Sequence, residues 1–475
     1  MQKISKTEII NKIKIENPWW NEDGSIDEYF RQMKPRAYLD QLYGLITETA
    51  VNRAVALMGP RRVGKTVLLY HAIQRLIENG VPPKHICYIS IEAPVYIGLR
   101  LEQILEYYAE IFNSTELRDC YLFLDEIQYL KDWELHLKKL VENYRSVKFI
   151  ASGSAAAALR LKSMESGAGR FTHFHLPPLT FYEYLYLLEK ENLIRKKSGS
   201  LPDINYESAD IHALNHEFIH YLNFGGYPEA IFSEAIKADT GRYIRSDIID
   251  KVLLRDLPGL YGIQDIQELN RLFTMLAYNT GNEVSLDELS KGSGVAKNTI
   301  KKYLEYLEAA FLIKTIHRID QAGKRFSRAN YFKVYLTNPS MRCALFGPIS
   351  AEHDFMGNMA ETAIVSQWLH SSTFDLYYSR WKGGEVDLVY LLQQKINWCV
   401  EIKWTNRYFE RPEELKSLIS LAQKHNLQDV TTTTVDKRGH RVAGGITIEF
   451  LEAGVYCYAV GKNSTEGRSL AGFKV

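Results

Sequence analysis

AVALMGPRRVGKTVLLYHAIQRLIENG, Ala54 to Gly80, decides the fold of the N-terminal part of this 475-residue chain. Its first five residues form an apolar run of strand length, and Gly59–Thr66 follows as G-x-x-x-x-G-K-T. Leu68, Leu69, Ala72, Ile73, Leu76 and Ile77 then recur at helical spacing, and Asn79-Gly80 supplies a C-cap. Strand, glycine loop and helix in this order are the context in which such a loop cradles phosphate. Gly59 and Gly64 let successive backbone N–H groups turn inward, and the helix adds the positive end of its dipole. Gly59, Pro60, Arg61, Arg62, Val63, Gly64, Lys65, Thr66 and Val67 are therefore the expected nucleotide contacts. Lys65 is expected on the β- and γ-phosphates and the Thr66 hydroxyl on Mg²⁺, so ATP and Mg²⁺ are the expected cofactors.

Downstream, CYLFLDEIQYL reads as a buried strand ending in Asp125-Glu126. At the C-terminal edge of a parallel strand beside the phosphate loop, Asp125 would hold the Mg²⁺ shell and Glu126 would take a proton from attacking water. Acids at strand ends also serve as solvated caps. KFIASGS, residues 148–154, is a further short strand ending in hydroxyls, where Ser152 or Ser154 would orient water or sense the γ-phosphate; serines also simply start turns. Strand–loop–helix repeated from residue 54 to about 160 implies a parallel α/β sheet. Arg170, after Gly167 and Gly169, is a candidate arginine finger for a neighbouring subunit, with Arg160 and Arg255 competing and a solvated surface arginine as the plain alternative. Catalysis of that kind would require a homo-oligomer.

The chain is too long for one core. A hydrophobic fraction of 46% and a charged fraction of 24% are ordinary for globular proteins and argue against disorder. Net charge is +1, so no global field advertises nucleic acid, and a basic surface must be local. Cys87, Cys120, Cys343, Cys399 and Cys457 are scattered without a CxxC pair, which offers neither a zinc site nor a disulfide framework and fits a reducing cytoplasm. No apolar run approaches the length of a membrane span, and no membrane partner is expected.

The middle of the chain changes character. In EVSLDELSKGSGVAKNTIKKYLEYLEAAFLIKTIHRID, Ser285 and Glu288 form a capping box, Lys291 to Gly294 make a turn, and a second helix from about Ala296 buries Ile300, Leu304, Leu307 and Phe311. With FLIKTIHRI as a following strand this looks like a winged helix-turn-helix, whose second helix exposes Lys297, Asn298, Lys301 and Lys302 to a major groove. From Lys291 to Lys333 ten basic residues face three acidic ones, a net of +7 that the overall balance conceals. DNA contact is the expectation; a protein-docking module is the alternative.

In the last third, GNMAETAIVSQWL (357–369) reads as a helix that carries Glu361 among apolar residues, where a carboxylate needs a partner. Strand-like DLYYSRW follows, and then GGEVDLVYLLQQKINWCVEIKWT (383–405), two half-buried strands joined by a polar turn. Glu401 and Lys403, two apart, share a face. Gathered with Glu361 and Asp387, they would suit Mg²⁺ or Mn²⁺ on Asp387 and Glu401, with Lys403 positioning a nucleophile and Glu385 as an accessory ligand. A surface hairpin with charged ends is the plain alternative.

GPRRVGKT, LFLDEIQ, ASGSAAA, PLTFYEY, GGYPEA, the helix-turn-helix and an E…EVD…EIK tail occur in this order from about residue 35 to 455. The chain thereby resembles prokaryotic AAA-type ATPases with a C-terminal domain of formerly unknown function related to PD-(D/E)xK nucleases. The resemblance implies an α/β protein with an ASCE-type P-loop core, a helical and winged-helix middle, and a restriction-endonuclease-like end domain. It implies nucleotide and Mg²⁺ on Lys65 and Thr66, a Walker B pair in Asp125 and Glu126, and a nuclease-like site in Glu361, Asp387, Glu401 and Lys403. Asn338 stands where members often show Asp. The expected divisions are an N-terminal extension (1–34) with no assignable role, the P-loop core (35–175), a helical lid or linker (176–266), the winged helix (267–345), the nuclease-like domain (346–460) and a tail (461–475). The expected function is a cytoplasmic Mg²⁺-dependent ATPase coupled to DNA binding and a nuclease-like domain. A nucleotide-gated DNA- or protein-binding switch with an inactive end domain is the alternative.

Overall fold

The structure is a computed structural model and describes residues 5–21, 24–113, 117–154, 169–197, 206–326, 330–368, 370 and 376–466. The chain divides into two compact units, Met1–Pro177 and Pro178–Val475.

The first unit is built on five strands: β1 (Ala54–Met58), β2 (Ile86–Ser90), β3 (Cys120–Asp125), β4 (Val147–Gly153) and β5 (Phe171–His175). They form one sheet in the order β2-β3-β4-β1-β5, with every pair parallel. All five residues of β1 are buried, as an inner strand of a parallel sheet covered on both faces requires. The strand beside β1 is β4 rather than β3; the acidic pair stands one strand further away than its sequence position suggests.

Helix α1 (Lys6–Glu16) starts on a capping box of Ser5 and Glu8, and α2 (Lys65–Glu78) follows the glycine loop directly. Most of the expected stripe of α2 is buried and Ile77 is half-buried. The segment after α1, which carries no sequence signal of function, finds a structural role. Asn17 donates its side-chain amide to the Tyr88 carbonyl at 2.8 Å and accepts from the Tyr88 N–H at 2.6 Å. The Trp19 and Trp20 indole N–H groups both reach the Ile86 carbonyl, at 3.0 and 2.8 Å. Because β2 is an edge strand, these side chains occupy backbone groups that another chain would otherwise pair with.

The second unit opens with α3 (Phe181–Leu187), a two-stranded hairpin of β6 (Ile194–Lys196) and β7 (Tyr206–Ser208), and α4 (Ile211–Phe224). After α5 (Ile266–Tyr278) come β8 (Glu283–Ser285), α6 (Leu286–Ser293), α7 (Lys297–Ala309), β9 (Ile313–Ile319) and β10 (Tyr331–Leu336). Ser285 and Glu288 make the expected capping box. The turn falls later than its sequence suggests, because α6 continues through Ser293 and ends on Gly294 in the left-handed region. Phe311 lies beyond α7 and is half-buried; Tyr303 takes the buried place on the helix instead.

Next are α8 (Ser340–Phe346), α9 (Met356–Trp368), β11 (Leu376–Trp381), β12 (Gly384–Leu392), β13 (Lys395–Glu401), α10 (Lys416–Lys424), β14 (Asp429–Thr434), β15 (Gly439–Ala443), β16 (Ile446–Glu452) and α11 (Ala453–Thr465). One nine-stranded sheet runs β15-β16-β14-β13-β12-β11-β9-β10-β8. The joint between its β8–β10 end and its β11–β16 end is a parallel pairing of β9 with β11 through Tyr377 opposite His317, Tyr378 opposite Arg318 and Ser379 opposite Ile319. The sheet therefore runs across residues 345/346, where the sequence suggests a division.

β12 and β13 are joined by Gln393-Gln394, both with positive φ (48° and 66°), as a two-residue hairpin turn demands. They are not half-buried. Leu388, Tyr390, Trp398 and Val400 pack with α3, α4, α9 and α11, whereas Val389, Ile396 and Cys399 pack with Leu418, Leu421 and Ala422 of α10. Layers on both faces explain why the strands read as nearly continuous apolar runs. Asn338, which the sequence marks as a departure, is fully buried. It accepts from the Ser340 N–H at 2.9 Å to start α8, and a Cβ on Gly226 would lie 2.5 Å from its Oδ1. The GGYPEA glycine is thus dictated by this close approach.

Candidate functional site

In the first unit, the glycine loop leaves β1 at its C-terminal end and turns through Arg62 (φ 66°) and Gly64 (φ 88°) into α2. A Cβ on Gly59 would stand 2.2 Å from the Leu176 carbonyl oxygen, so no larger residue fits there. Buried Lys65 donates to the carbonyls of Gly59 and Pro60, at 3.2 and 2.9 Å. Arg36 braces the loop by donating to the Val63 carbonyl at 2.6 Å and to the Pro177 carbonyl at 3.1 Å.

Four donors converge on Asp125 at the end of β3. The Thr66 hydroxyl (2.7 Å) and the Tyr88 hydroxyl (2.8 Å) meet Oδ2. The Ser152 hydroxyl and the Glu126 N–H (3.1 Å) meet Oδ1. β4, lying between β1 and β3, supplies Ser152, which holds the acid in place; Ser154, also buried, donates its N–H to Gln128 at 3.3 Å. Glu126 takes a left-handed backbone (φ 54°), a conformation that costs about 1 kcal/mol in a residue with a Cβ, and its carboxylate accepts from Gln128. Glu92 completes the acidic rim: partial burial, and then Glu126 and Asp125, push its carboxyl above the usual range. Thr66 and Asp125, a hydroxyl and a carboxylate in contact at the loop mouth, are the hard oxygen donors that suit Mg²⁺ beside phosphate. Tyr88, Arg36 and Glu92 carry no motif; a phenol within the apolar run ICYIS is the one available hint.

Arg170 stands just before β5, at the sheet edge opposite the phosphate loop of its own chain, and is ion-paired with Glu142 at 3.0 Å. Arg255 is exposed in the second unit, and Arg160 lies outside the described residues.

In the second unit the expected acids do meet. Between Tyr377 and Ser379 the β11–β12 register shifts, so Tyr378 faces two residues, Asp387 and Leu388. This bulge brings Asp387 to the layer of α9 that carries Glu361. The lysine at the centre, however, is Lys333 of β10. Its ammonium lies 2.9 Å from Glu361 Oε1, 2.8 Å from Glu385 Oε1 and 3.3 Å from Asp387 Oδ1. Lys403 sits on the other side, 2.7 Å from Glu401 Oε1 and 3.5 Å from Asp387 Oδ2. Asp387 Oδ2 also accepts the Ile402 N–H at 2.9 Å, and Glu361 Oε1 accepts the Tyr335 hydroxyl at 2.5 Å. Arg380 extends the network from Glu385 (3.2 Å) to Glu283 (3.0 Å).

Burial pushes the Glu361 carboxyl up to about 7 against the pull of Lys333. Burial and then Asp387 push Glu401 up to about 8. Burial works the same way on Asp387, but Lys403 and Lys333 outweigh it and hold that carboxyl below its usual range.

This arrangement corrects one expectation. Lys333 is no part of a basic surface; it is 2% exposed among three carboxylates. The expected place for Mg²⁺ or Mn²⁺ is Asp387 with Glu401. Asp387 lies against two ammonium groups, Lys333 at Oδ1 and Lys403 at Oδ2, whereas the partners of Asp125 are neutral hydroxyls and an amide, and among the described residues no three His, Cys, Asp or Glu side chains are grouped to hold a metal ion. The donor set as placed does not fit a divalent ion. The remaining signal, a buried Glu401 Oε2 without a partner, is a single oxygen.

On α7, Lys297, Asn298, Lys301 and Lys302 are all exposed, with Lys297 paired to Asp287 of α6. Arg318 lies 3.6 Å from Glu283, and Arg328 falls outside the described residues.

Residues 51–185 match the AAA domain family, and residues 215–352 match a domain of unknown function (DUF8612). An uncharacterised protein of Haemophilus influenzae is 24% identical over 385 residues, covering 79% of this chain and 87% of that one. One from Methanocaldococcus jannaschii is 26% identical over 349 residues, covering 70% and 71%. Among solved structures, the replication initiator DnaA bound to AMPPCP and single-stranded DNA aligns with 57% of this chain and 86% of its own, at 15% identity and a TM-score of 0.27, too distant to bear on fold or function. Loop, parallel sheet and family match agree that the first unit carries a P-loop domain of the AAA type. Among the described residues no helix is long and apolar enough to cross a membrane.

Proposed function

We propose that the chain is an Mg²⁺-dependent ATPase of the AAA type whose second unit binds nucleic acid through α7 and does not cut it. The observation that carries the first half is the Thr66–Asp125 contact at the mouth of the glycine loop, with Glu126 beside it. Lys65, now on the loop's own carbonyls, would exchange those acceptors for phosphate oxygens. Thr66 and Asp125 would hold Mg²⁺, which supplies charge neutralisation between the phosphates. Glu126 would accept the proton of attacking water while Gln128 fixes its carboxylate. A neighbouring subunit donating an arginine, Arg170 included, remains part of the proposal and would require an oligomer.

Exposed Lys297, Asn298, Lys301 and Lys302 support nucleic-acid contact, with a winged helix formed by α6, α7 and the β8–β10 strands. The lysine-filled acid cluster favours a non-cutting end domain over a PD-(D/E)xK nuclease. Steady-state phosphate release is the test. Lys65→Ala is expected to lose both nucleotide binding and turnover, and Glu126→Gln to keep binding while turnover falls about 100-fold or more. Wild-type turnover no higher than that of either variant would remove the ATPase reading.

A further inference from the structure

The acids that resemble a metal-dependent nuclease site are gathered around an ammonium group. Lys333 has three N–H donors and three carboxylate neighbours, Glu361 from α9 and Glu385 and Asp387 from β12, all within 3.3 Å. A buried lysine is costly unless its charge is met, and here it donates hydrogen bonds to Glu361 and Asp387 and is ion-paired with Glu385. Its position is also fixed from outside the cluster. β10 is hydrogen-bonded on both sides, to β9 and to β8, and Lys333 itself pairs with Ile316 and Glu283 in those ladders. The side chain is 3% exposed, so it is not available to a bound phosphate, whereas Lys403 is 29% exposed.

We propose that Lys333 is the resident cation of this site: it holds Glu361, Glu385 and Asp387 together in place of a divalent ion and thereby excludes Mg²⁺ and Mn²⁺ from them. The lysine enters from a strand that the sequence assigns to the helix-turn-helix segment, through the continuous sheet. Metal binding at these three acids then requires displacement of the Lys333 ammonium, and the folded protein has an ion-pair hub where the motif suggests a catalytic centre. The proposal rests on the geometry of the acid cluster alone; neither ATP turnover nor DNA binding enters its test.

That test is Mn²⁺ binding to the full-length, nucleotide-free protein, read from the loss of the free-ion EPR signal. Wild type and Asp387→Asn are expected to bind the same amount. Lys333→Met is expected to gain one ion per chain, with affinity raised about tenfold or more, and Lys333→Met/Asp387→Asn to lose that gain. Lys333→Met/Glu361→Gln, which removes one charge of each sign, replaces the single variant if circular dichroism shows that the latter is unfolded. A wild-type ion that Asp387→Asn abolishes overturns the proposal. So does a folded Lys333 variant, with Asp387 intact, that binds no more Mn²⁺ than wild type.

Discussion

Asp125 accepts from two donors on each oxygen, and this is the residue-scale fact on which the first site turns. Tyr88 comes from β2, the strand of the sheet furthest from β1 and its phosphate loop, so its hydroxyl is expected to position the acid without touching nucleotide. Tyr88→Phe deletes one hydrogen bond to a charged group, worth about 1.5–3 kcal/mol at most. The expected outcome is a turnover about 10-fold lower with nucleotide affinity little changed, measured as kcat beside the Kd of a fluorescent analogue; an unchanged kcat would refute the positioning role. At the same scale, the phosphate loop and the acid at the end of β3 were legible because chemistry restricts residue type and spacing there. Lys333 was not, since YFKVYL looks like any apolar strand with one surface lysine. The clue lay in cost: a lysine flanked by apolar residues on both sides must either reach solvent or find carboxylates.

At the scale of elements, strands and helices were readable wherever a periodicity or cap marked them. β1 starts and ends where its apolar run does, and the capping box at Ser285 opens α6 as its spacing requires. Neighbour relations were less readable. That β4 separates β1 from β3 depends on crossover topology, which leaves no local trace, and burial of β12 and β13 on both faces depends on α10, which follows them. The bulge that aims Asp387 is likewise a property of a strand pair. Helix α7 permits a direct check of nucleic-acid contact. If Lys301 and Lys302 face phosphates, Lys301→Glu/Lys302→Glu weakens DNA binding at every sequence and flattens the plot of log K against log salt by about two units of slope. An unchanged slope in fluorescence anisotropy titrations would assign the helix to another partner.

For the whole molecule, coupling between nucleotide and nucleic acid is a thermodynamic quantity with a symmetry that can be measured. If ATP changes DNA affinity by some factor, DNA must change ATP affinity by the same factor. In Glu126→Gln, where hydrolysis is expected to be suppressed, a coupling of about 5-fold or more is expected in both directions. Equal affinities with and without the second ligand would reduce the chain to two activities that share a polypeptide. The nine-stranded sheet has a consequence of another kind, for inheritance. A recombination crossover anywhere between codons 334 and 360 would take Lys333 from one parent and Glu361, Glu385 and Asp387 from the other. A chimera receiving the acids without the lysine inherits a cluster of buried like charges, and one receiving the lysine alone inherits an unpaired ammonium. These two stretches of the gene are therefore expected to be transmitted together, even though the motif that marks one of them contains no hint of the other.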